Sequence, residues 1–193
     1  MESLRGNFLV SETELDDPNF IQSVVFLIEH NEEGAFGLVV NQKSTVTLGE
    51  VLSEFRGTEA ADLPIFIGGP VQQDFMLCLY SPVPEIVSDG ALEVIPGVVF
   101  NPDIKSVFTY LNDVYPGLHP EQRPDIHFYA GYSGWGAGQL ERELNIYGSW
   151  VILPAQQALV FSKDPDESWR SALKRKGGIY YIAAEMGFKP SLN

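Results

Sequence analysis

The chain has 193 residues, 45% hydrophobic and 12% aromatic, so it can bury a core without disulfides or a metal. Its 26 acidic and 12 basic residues give a formal net charge of −14. This charge disfavours direct nucleic-acid binding, which depends on Lys and Arg displacing counterions. The single cysteine, Cys78, cannot form an internal bridge. We find no secretion leader and no apolar run of membrane length, and therefore expect a cytoplasmic protein without a membrane partner.

The first part of the chain predicts a β-hairpin followed by a short helix. Residues 23–30 and 35–41 are rich in β-forming side chains, and the polar loop between them contains a glycine, as hairpin loops often do. Thr47 and Glu50 have the spacing of a capping box, so we expect a short amphipathic helix to begin after Thr47. Two further strands are predicted over residues 64–69 and 75–81.

The second half of the chain mixes helices and strands. Asn101 is suited to cap a helix that begins at Pro102, and Asp166 is suited to cap a last helix that ends before Gly177. Between these helices the predicted elements are a strand over 126–132, a helix over 138–146 and a strand over 150–153. Because strands come in hairpins with helices interspersed, a mixed sheet of the α+β class is favoured. Without a repeat or a linker, residues 1–193 are predicted to form a single domain.

The segment 127–150 is the densest in residues that could carry chemistry. A predicted strand runs into four closely spaced glycines before a helix begins, and such a turn can present free N–H groups to an anion. The pattern matches neither phosphate-binding fingerprint, since Gln139 stands where the dinucleotide motif needs a glycine. An anion-binding turn is therefore one interpretation. The favoured one is a tight turn that packs Trp135 into the core.

Ser133 lies at a strand–turn–helix junction, as the serine of a nucleophile elbow does. The elbow has a glycine two residues after the serine, where this chain has Trp135. All three histidines, His30, His119 and His127, precede Ser133, whereas the elbow fold places its histidine after the serine. A turn hydroxyl is the favoured interpretation, and we assign no catalytic residue. A hydrolase-type enzyme that uses His30 or His127 as its base is the alternative function.

The remaining polar residues do not have the spacing of a metal or cofactor site. His30 is followed by two glutamates, but no second histidine stands at a ligand spacing. Glu141 and Glu143 are two residues apart on a predicted helix, so their side chains should point to different sides. An exposed helix face is the favoured interpretation of this pair. We predict no cofactor and no metal.

Several stretches of the sequence resemble the YqgE/AlgH family of bacterial proteins. They are Asp17-Pro18-x-Phe20, Ser23-Val24-Val25 leading to Glu29-His30, Gly34-Ala35-x-Gly37-Leu38-Val39-Val40-Asn41, Gly68-Gly69-Pro70-Val71, and Gly131-Tyr132-Ser133-Gly134-Trp135-x-x-Gly138-Gln139-Leu140-Glu141-x-Glu143. The last is the most specific. The resemblance follows the chain in order and is weak only over 82–125 and at the last few residues.

What the resemblance implies is a fold rather than a reaction. Members of the family have an α+β fold with a mixed, bifurcated sheet curled into a pseudo-barrel and several flanking helices. They are cytosolic, and no catalytic residues are established for them, so none can be transferred. The family commonly has alanine at the position of Ser133. Its description as a transcriptional regulator rests on genetic association, so we expect any regulation to act through a protein or a small ligand.

The favoured function is a non-enzymatic binding or regulatory domain that acts through a small ligand or a protein partner. The hypothesis is that the segments 34–41, 68–71 and 131–139 converge into one cleft. The ligand-binding residues predicted there are His30, Asn41, Gly69, Ser133, Trp135 and Gln139. If these segments lay on opposite faces of the molecule, the hypothesis would be wrong.

Overall fold

The computed structural model describes residues 2–12, 15 and 17–186, and ten strands in this part of the chain form one curled sheet. The strands are β1 (Asn7–Ser11), β2 (Val24–Asn31), β3 (Gly34–Val39), β4 (Lys43–Thr47), β5 (Pro64–Ile67), β6 (Val71–Tyr80), β7 (Leu92–Ile95), β8 (Val98–Asn101), β9 (Ile126–Gly136) and β10 (Trp150–Pro154). Their order is β10-β1-β2-β3-β9-β6-β8-β7, and β4 joins the sheet through β5. The pair β5–β9 is parallel and the other pairs are antiparallel.

Six α-helices in the described part of the chain accompany the sheet. They are α1 (Leu48–Val51), α2 (Ile104–Asp113), α3 (Gln139–Arg142), α4 (Gln157–Val160), α5 (Ser168–Lys176) and α6 (Ile179–Met186). A π-helical turn, Glu143–Tyr147, continues α3. Over the described ranges, every helix is too short or too polar to cross a bilayer.

The sheet divides at β9. One edge of β9 pairs with β6, and the other edge pairs with two different strands. Residues 128–130 of β9 lie beside β5, whereas residues 133–136 lie beside β3. Because β3 and β5 share one edge of β9 and then separate, the sheet is bifurcated at this point. The predicted α+β class with a mixed, bifurcated and curled sheet is confirmed.

The central part of the sheet is buried on both faces, which explains the nearly continuous apolar run in β2. Side chains alternate between the faces along a strand, and the residues of β2 from Val24 to Ile28 are all fully buried, whichever face they point to. Phe26 packs in a cluster that includes Trp169 of α5, whereas Val25 and Leu27 pack in a cluster that includes Trp135 and the residues around α3. The third cluster lies between β6, β9 and α2. The helices therefore cover apolar surface that the strands cannot bury alone.

Several local predictions are confirmed. The strands β2 and β3 pair as a hairpin whose register runs to Asn31 opposite Gly34. The Glu50 carboxylate accepts a hydrogen bond from the backbone N–H of Thr47 at 2.8 Å, the reach-back contact of a capping box. On α2, Val107 and Leu111 are buried along the predicted apolar stripe.

Two predicted helix caps are wrong. The residue that caps α2 is Asp103, whose carboxylate accepts from Lys105 N at 3.1 Å, whereas Asn101 is fully buried at the end of β8. The Asn101 side chain instead accepts from the backbone N–H of Asp103 at 2.9 Å, so it shapes the approach to the helix. Asp166 lies in a 3₁₀ turn before α5, and the residue at the cap position is Glu167. Each of these two helices therefore begins one or two residues later than predicted.

Three predicted elements have different lengths. The amphipathic helix after Thr47 is the single turn α1 followed by a 3₁₀ turn, and its Val51 is 49% exposed instead of facing the core. The helix predicted over 138–146 is one α-turn followed by the π-helical turn. The strand predicted over 126–132 extends as β9 to Gly136, because its last residues pair with β3.

Candidate functional site

The three segments predicted to converge meet at the branch point of the sheet, which we name the fork. At the fork, Val39 N donates to the carbonyl of Gly68 at 2.8 Å, and Gly68 N donates to the carbonyl of Ala130 at 2.9 Å. The Ser133 hydroxyl donates to the same Gly68 carbonyl at 3.2 Å. The segments therefore share one location and are joined by backbone hydrogen bonds.

The glycines of the fork allow backbones to pack against each other. A Cβ atom on Gly68 would lie 2.3 Å from the carbonyl oxygen of Gly131, and one on Gly69 would lie 2.3 Å from the carbonyl group of Tyr132. Gly69 also has a φ of +154°, which L-residues rarely adopt. Gly69 and Ser133, both predicted ligand contacts, thus lie inside the packed fork, where the Ser133 side chain is fully buried.

His30 is held by hydrogen bonds at both ring nitrogens. Its Nδ1 accepts from the backbone N–H of Leu4 at 2.9 Å, and its Nε2 lies 2.9 Å from Glu141 Oε1. Because a backbone N–H can only donate, Nδ1 carries no proton, and Nε2–H donates to the carboxylate. The side chain is 2% exposed. In this arrangement His30 fixes the N-terminal segment and α3 to the end of β2.

The partner of His30 is a carboxylate that stays ionised readily. The backbone amide of Glu141 itself and, more weakly, the His30 imidazole lower the pKa of the Glu141 carboxyl, against the opposing effect of burial. The ionised Glu141 carboxylate therefore accepts a hydrogen bond from the Nε2–H group of His30, and its charge strengthens this hydrogen bond.

Glu143 is the side chain that the sequence interpretation placed wrongly. Instead of lying on an exposed helix face, its Oε2 accepts from the indole N–H of Trp135 at 2.9 Å and from that of Trp150 at 2.8 Å. Its Oε1 accepts from the side-chain amide of Gln139 at 3.0 Å. A buried indole N–H needs an acceptor. The sequence does carry a signal for this contact, because one tryptophan precedes and another follows a short helical segment that contains a glutamate.

The predicted ligand residues fall into three places. His30, Trp135 and Gln139 gather around α3 through Glu141 and Glu143. Gly69 and Ser133 lie in the fork. Asn41 lies at the other end of the β2–β3 hairpin from His30, about 20 Å away along the strand.

At that far end of the hairpin, Asn41 replaces a missing strand contact. Its Oδ1 accepts from Val24 N at 2.7 Å, and its amide donates to the carbonyl of Gln22 at 2.8 Å. The side chain is buried. Its hydrogen bonds join the start of β2 to the end of β3, which is a role in strand pairing.

The side chain of Gln139, at the start of α3, forms a hydrogen bond with the glycine turn that precedes it. Its Oε1 accepts from Gly136 N at 3.1 Å, so this backbone N–H is already used inside the protein. α3 is a single turn of four residues. The turn holds the end of β9 against α3 and Trp135 in the core, at 6% exposure.

His127, the second candidate base, is stacked between aromatic rings. Its ring lies 4.6 Å from that of Phe66 and meets the edge of Phe161 at 5.2 Å. Burial lowers the pKa of His127 to about 4, and the positive charge of Lys43 adds to this effect. His127 and Ser133 are six residues apart on β9, about 20 Å along an extended strand, which is far beyond hydrogen-bond reach.

The other candidate nucleophile and the metal-binding side chains are equally dispersed. Cys78 is fully buried, and this burial raises the pKa of its thiol. Across residues 2–12, 15 and 17–186, three or more His, Cys, Asp or Glu side chains do not come together in a group that could hold a metal ion. The described part of the chain thus brings together hydrogen-bonding groups of the fold rather than a nucleophile with its base.

A surface groove lies at the tip of the β2–β3 hairpin beside Trp135. Its volume is about 180 Å³, and its lining residues are Glu29, Asn31, Glu33, Gly34, Ala35, Phe36 and Trp135. We name it the acidic groove, because Glu29 and Glu33 are exposed and no basic side chain lines it. The groove combines two exposed carboxylates with Phe36 and the largely buried Trp135 in its lining.

Two larger grooves lie side by side at α1 and share Gly57 and Asp62. Their volumes are about 550 and 410 Å³. One is lined by Arg56, and the other contains Arg123, which pairs with Glu59 at 2.8 Å and lies over the Tyr115 ring at 4.7 Å. Their lining includes both acidic and basic side chains, so these grooves carry no single sign of charge.

Comparison with known proteins places the chain in a family. A family model described as AlgH-like matches residues 8–181. A UPF0301 protein of Chlorobium phaeobacteroides is 37% identical over 188 residues, which are 97% of this chain and 95% of that protein. A UPF0301 protein of Thioalkalivibrio sulfidiphilus is 37% identical over 176 residues, which are 89% of both chains.

Two solved structures have the same fold. The solution structure of the AlgH protein from Pseudomonas aeruginosa superimposes with a TM-score of 0.72, at 32% identity and 94% coverage of both chains. A crystal structure of a protein from Corynebacterium diphtheriae gives a TM-score of 0.73 at 22% identity, covering 95% of this chain and 93% of that one. At 22% identity, the comparison with the Corynebacterium diphtheriae protein is evidence for a shared fold alone. The resemblance recognised in the sequence is confirmed, and the chain belongs to the AlgH-like family of UPF0301 proteins.

Proposed function

We propose that this protein is a non-enzymatic binding domain of the bacterial cytoplasm whose acidic groove receives a cationic group. The cationic group belongs to a small ligand or to an Arg or Lys side chain of a protein partner. A regulatory role would then follow from occupation of the groove. Direct nucleic-acid binding does not fit the proposal, because a chain with a net charge of −14 repels phosphate backbones.

The observation that carries the proposal is the composition of the acidic groove. Glu29 and Glu33 offer two exposed carboxylates in a lining that also includes Phe36 and the largely buried Trp135. Two carboxylates with no basic side chain in the same lining attract a cation. The groove volume of about 180 Å³ suits one guanidinium or ammonium group with part of its aliphatic chain.

The surroundings of the groove support a binding role over a catalytic one. Trp135 is fixed by its hydrogen bond to Glu143, and both nitrogens of the neighbouring His30 are already hydrogen-bonded. A rigid wall loses little conformational entropy when a ligand binds. An imidazole that is 2% exposed and doubly hydrogen-bonded would have to break a contact before it could take a proton from a substrate.

The proposal is tested by calorimetric titration with spermidine and with Nα-acetyl-argininamide. We expect weak, salt-sensitive binding of both, and none of Nα-acetyl-citrullinamide, which has a similar shape without the charge. Glu33→Gln should weaken binding about fivefold, the effect of one exposed charge pair of about 1 kcal/mol. Glu32→Gln is the matched control, because Glu32 is exposed in the same turn and does not line the groove.

Two outcomes would contradict the proposal. Equal effects of Glu33→Gln and Glu32→Gln would mean that the probes respond only to the net charge of the chain. Hydrolysis of Nα-acetyl-arginine methyl ester above the rate in buffer, abolished by His30→Gln in a folded variant, would favour the hydrolase alternative.

A further inference from the structure

The segment that joins α5 to α6 combines basic and apolar side chains on the surface. Lys174, Arg175 and Lys176 form the last turn of α5, and Gly177-Gly178 separate them from α6. On α6, Ile179 is 75% exposed, Tyr181 50% and Ile182 58%. We name these six side chains, Lys174, Arg175, Lys176, Ile179, Tyr181 and Ile182, the basic–apolar tip.

The charge of the tip is opposite to that of the rest of the chain. Residues 174–182 contain three basic and no acidic residues, a charge of +3, so the remaining residues carry −14 − 3 = −17. The glycines produce this arrangement, since Gly177 has a φ of +74° and Gly178 one of +59°. This left-handed turn brings α6 back against α5 and keeps its apolar side chains beside the basic turn.

The inner face of α6 is already packed, so the exposed apolar side chains are an outer face. Ala184 is buried, and Tyr180 packs against the main core cluster. Lys174 pairs with Glu185 at 2.6 Å, and Arg175 donates to the carbonyl of Pro154 at 3.4 Å. Both contacts are exposed, and exposed contacts of this kind are weak enough for an external anion to compete.

From these features we infer that the basic–apolar tip docks reversibly onto an anionic lipid surface, with the isoleucines inserted and the basic side chains at the phosphates. Apolar side chains beside a Lys/Arg cluster have the composition that binds bilayer interfaces, with about 1 kcal/mol for each basic residue near the surface. The remainder of the chain is acidic and is repelled, so approach with the tip first is favoured. This inference revises the expectation of no membrane partner, which considered a secretion leader and membrane-spanning runs but not docking at a membrane surface.

Other occupants fit the tip less well. Three exposed apolar side chains offer a few hundred Å² of surface, below the roughly 800 Å² that each partner buries in a stable protein–protein interface. A symmetric pair of tips from two copies would also bring two basic clusters together, which is unfavourable. A bilayer needs only shallow insertion of such a patch.

The test is co-sedimentation of the full chain with vesicles of equal parts phosphatidylglycerol and phosphatidylcholine, compared with phosphatidylcholine alone. We expect binding to the anionic vesicles at about 50 mM NaCl that falls at least tenfold at about 500 mM, because salt screens the charges. Ile179→Ser with Ile182→Ser should lower binding about tenfold through lost apolar burial. The control is Val87→Ser, since Val87 is 80% exposed elsewhere on the surface.

The charge contribution has its own matched pair of variants. Replacing Lys174, Arg175 and Lys176 with Gln should abolish binding to the anionic vesicles. The control variant replaces three other exposed basic residues, Arg56, Lys105 and Lys163, with Gln. It has the same net charge as the first variant, and its vesicle binding should stay within about twofold of the wild type. Absence of binding to the anionic vesicles, or equal loss in both triple variants, would overturn the inference. So would a dimer in light scattering that Ile182→Ser dissociates, because a second copy would then be the occupant.

Discussion

The carboxylate of Glu143 accepts hydrogen bonds from three side chains that belong to three different elements. Trp135 is on β9, Trp150 is on β10, and Gln139 begins α3. Both tryptophans are 6% exposed, and Glu143 Oε2 is the acceptor of both indole N–H groups. At the residue scale, Glu143 therefore fixes the wall of the acidic groove, although it does not line the groove itself.

Removal of this carboxylate should destabilise the fold. Glu143→Ala leaves two buried indole N–H groups without an acceptor, so the free energy of unfolding should fall by about 3 kcal/mol. Glu143→Gln, whose carbonyl can still accept, should cost about 1 kcal/mol. Urea denaturation measures both, with the exposed Glu32→Ala as a control expected within about 0.5 kcal/mol of the wild type. A loss as small as the control's would mean that the indoles find other acceptors.

His127 makes stability depend on pH in a defined range. In the unfolded chain its pKa is the ordinary 6.5, whereas in the folded protein burial lowers its pKa to about 4. Between these values the unfolded state binds more protons, so the free energy of unfolding falls as the pH falls. The contribution is absent above pH 6.5 and should reach about 3 kcal/mol of lost stability near pH 4.

The test is the pH dependence of unfolding in His127→Phe. This variant keeps an aromatic ring between Phe66 and Phe161 and cannot bind a proton, so its stability should fall less between pH 6.5 and 4 than that of the wild type. His119→Phe is the matched control, because His119 is exposed. An unchanged slope in His127→Phe would show that His127 is not responsible.

Sequence patterns predicted residue roles well where a single element decides them. The reach of Glu50 back to Thr47 and the burial of Trp135 both follow from local spacing, and both are found. The partners of His30 and Glu143 depend on how β2, β9 and α3 meet, and local spacing does not contain that information. For the same reason the polar residues around α3 looked like an exposed helix face.

At the scale of elements, the fork explains why the glycine segments are close together. Val39 N and Ser133 Oγ both donate to the carbonyl of Gly68, so β3, the β5–β6 turn and β9 are joined at one oxygen. Side chains at the glycine positions would separate these backbones. The glycine-rich motifs thus build the branch of the sheet, and the groove lies next to them.

Gly68→Ala tests this role directly. Its Cβ would lie 2.3 Å from the carbonyl oxygen of Gly131, so we expect a loss of about 3 kcal/mol or more in thermal or urea unfolding. In Gly117→Ala the added Cβ has no neighbour within 4 Å, and this control should stay within about 0.5 kcal/mol of the wild type. Similar stabilities of the two variants would mean that the fork tolerates separation of its strands.

The existence of most elements was predictable, and their ends were not. The hairpin β2–β3, the strands β5 and β6 and the helix α2 all stand where periodicity and turn residues place them. The extension of β9 to Gly136 is decided by pairing with β3, which lies almost 100 residues earlier in the chain. The hairpin of β7 and β8 and the helix α6 carry weak local signals and were not predicted.

At the scale of the whole molecule, charge is distributed unevenly over the surface. The acidic groove lies on a chain whose net charge is −14, so the field of the molecule and the local carboxylates attract the same cations. The basic–apolar tip is a separate feature at the other end of the chain. Binding at the groove and docking through the tip can therefore be measured independently, by variants that share no residue.

Binding of a cation in the acidic groove can be followed through the three tryptophans of the chain. In ¹⁵N NMR spectra, titration with spermidine should shift the indole N–H signal of Trp135, which lines the groove. The signal of Trp169, buried on the core side where it donates to the carbonyl of Ser11, should not move. A saturable shift at Trp135 that Glu33→Gln weakens is the predicted result. Unchanged signals, or equal small shifts of all three indoles, would contradict the proposal.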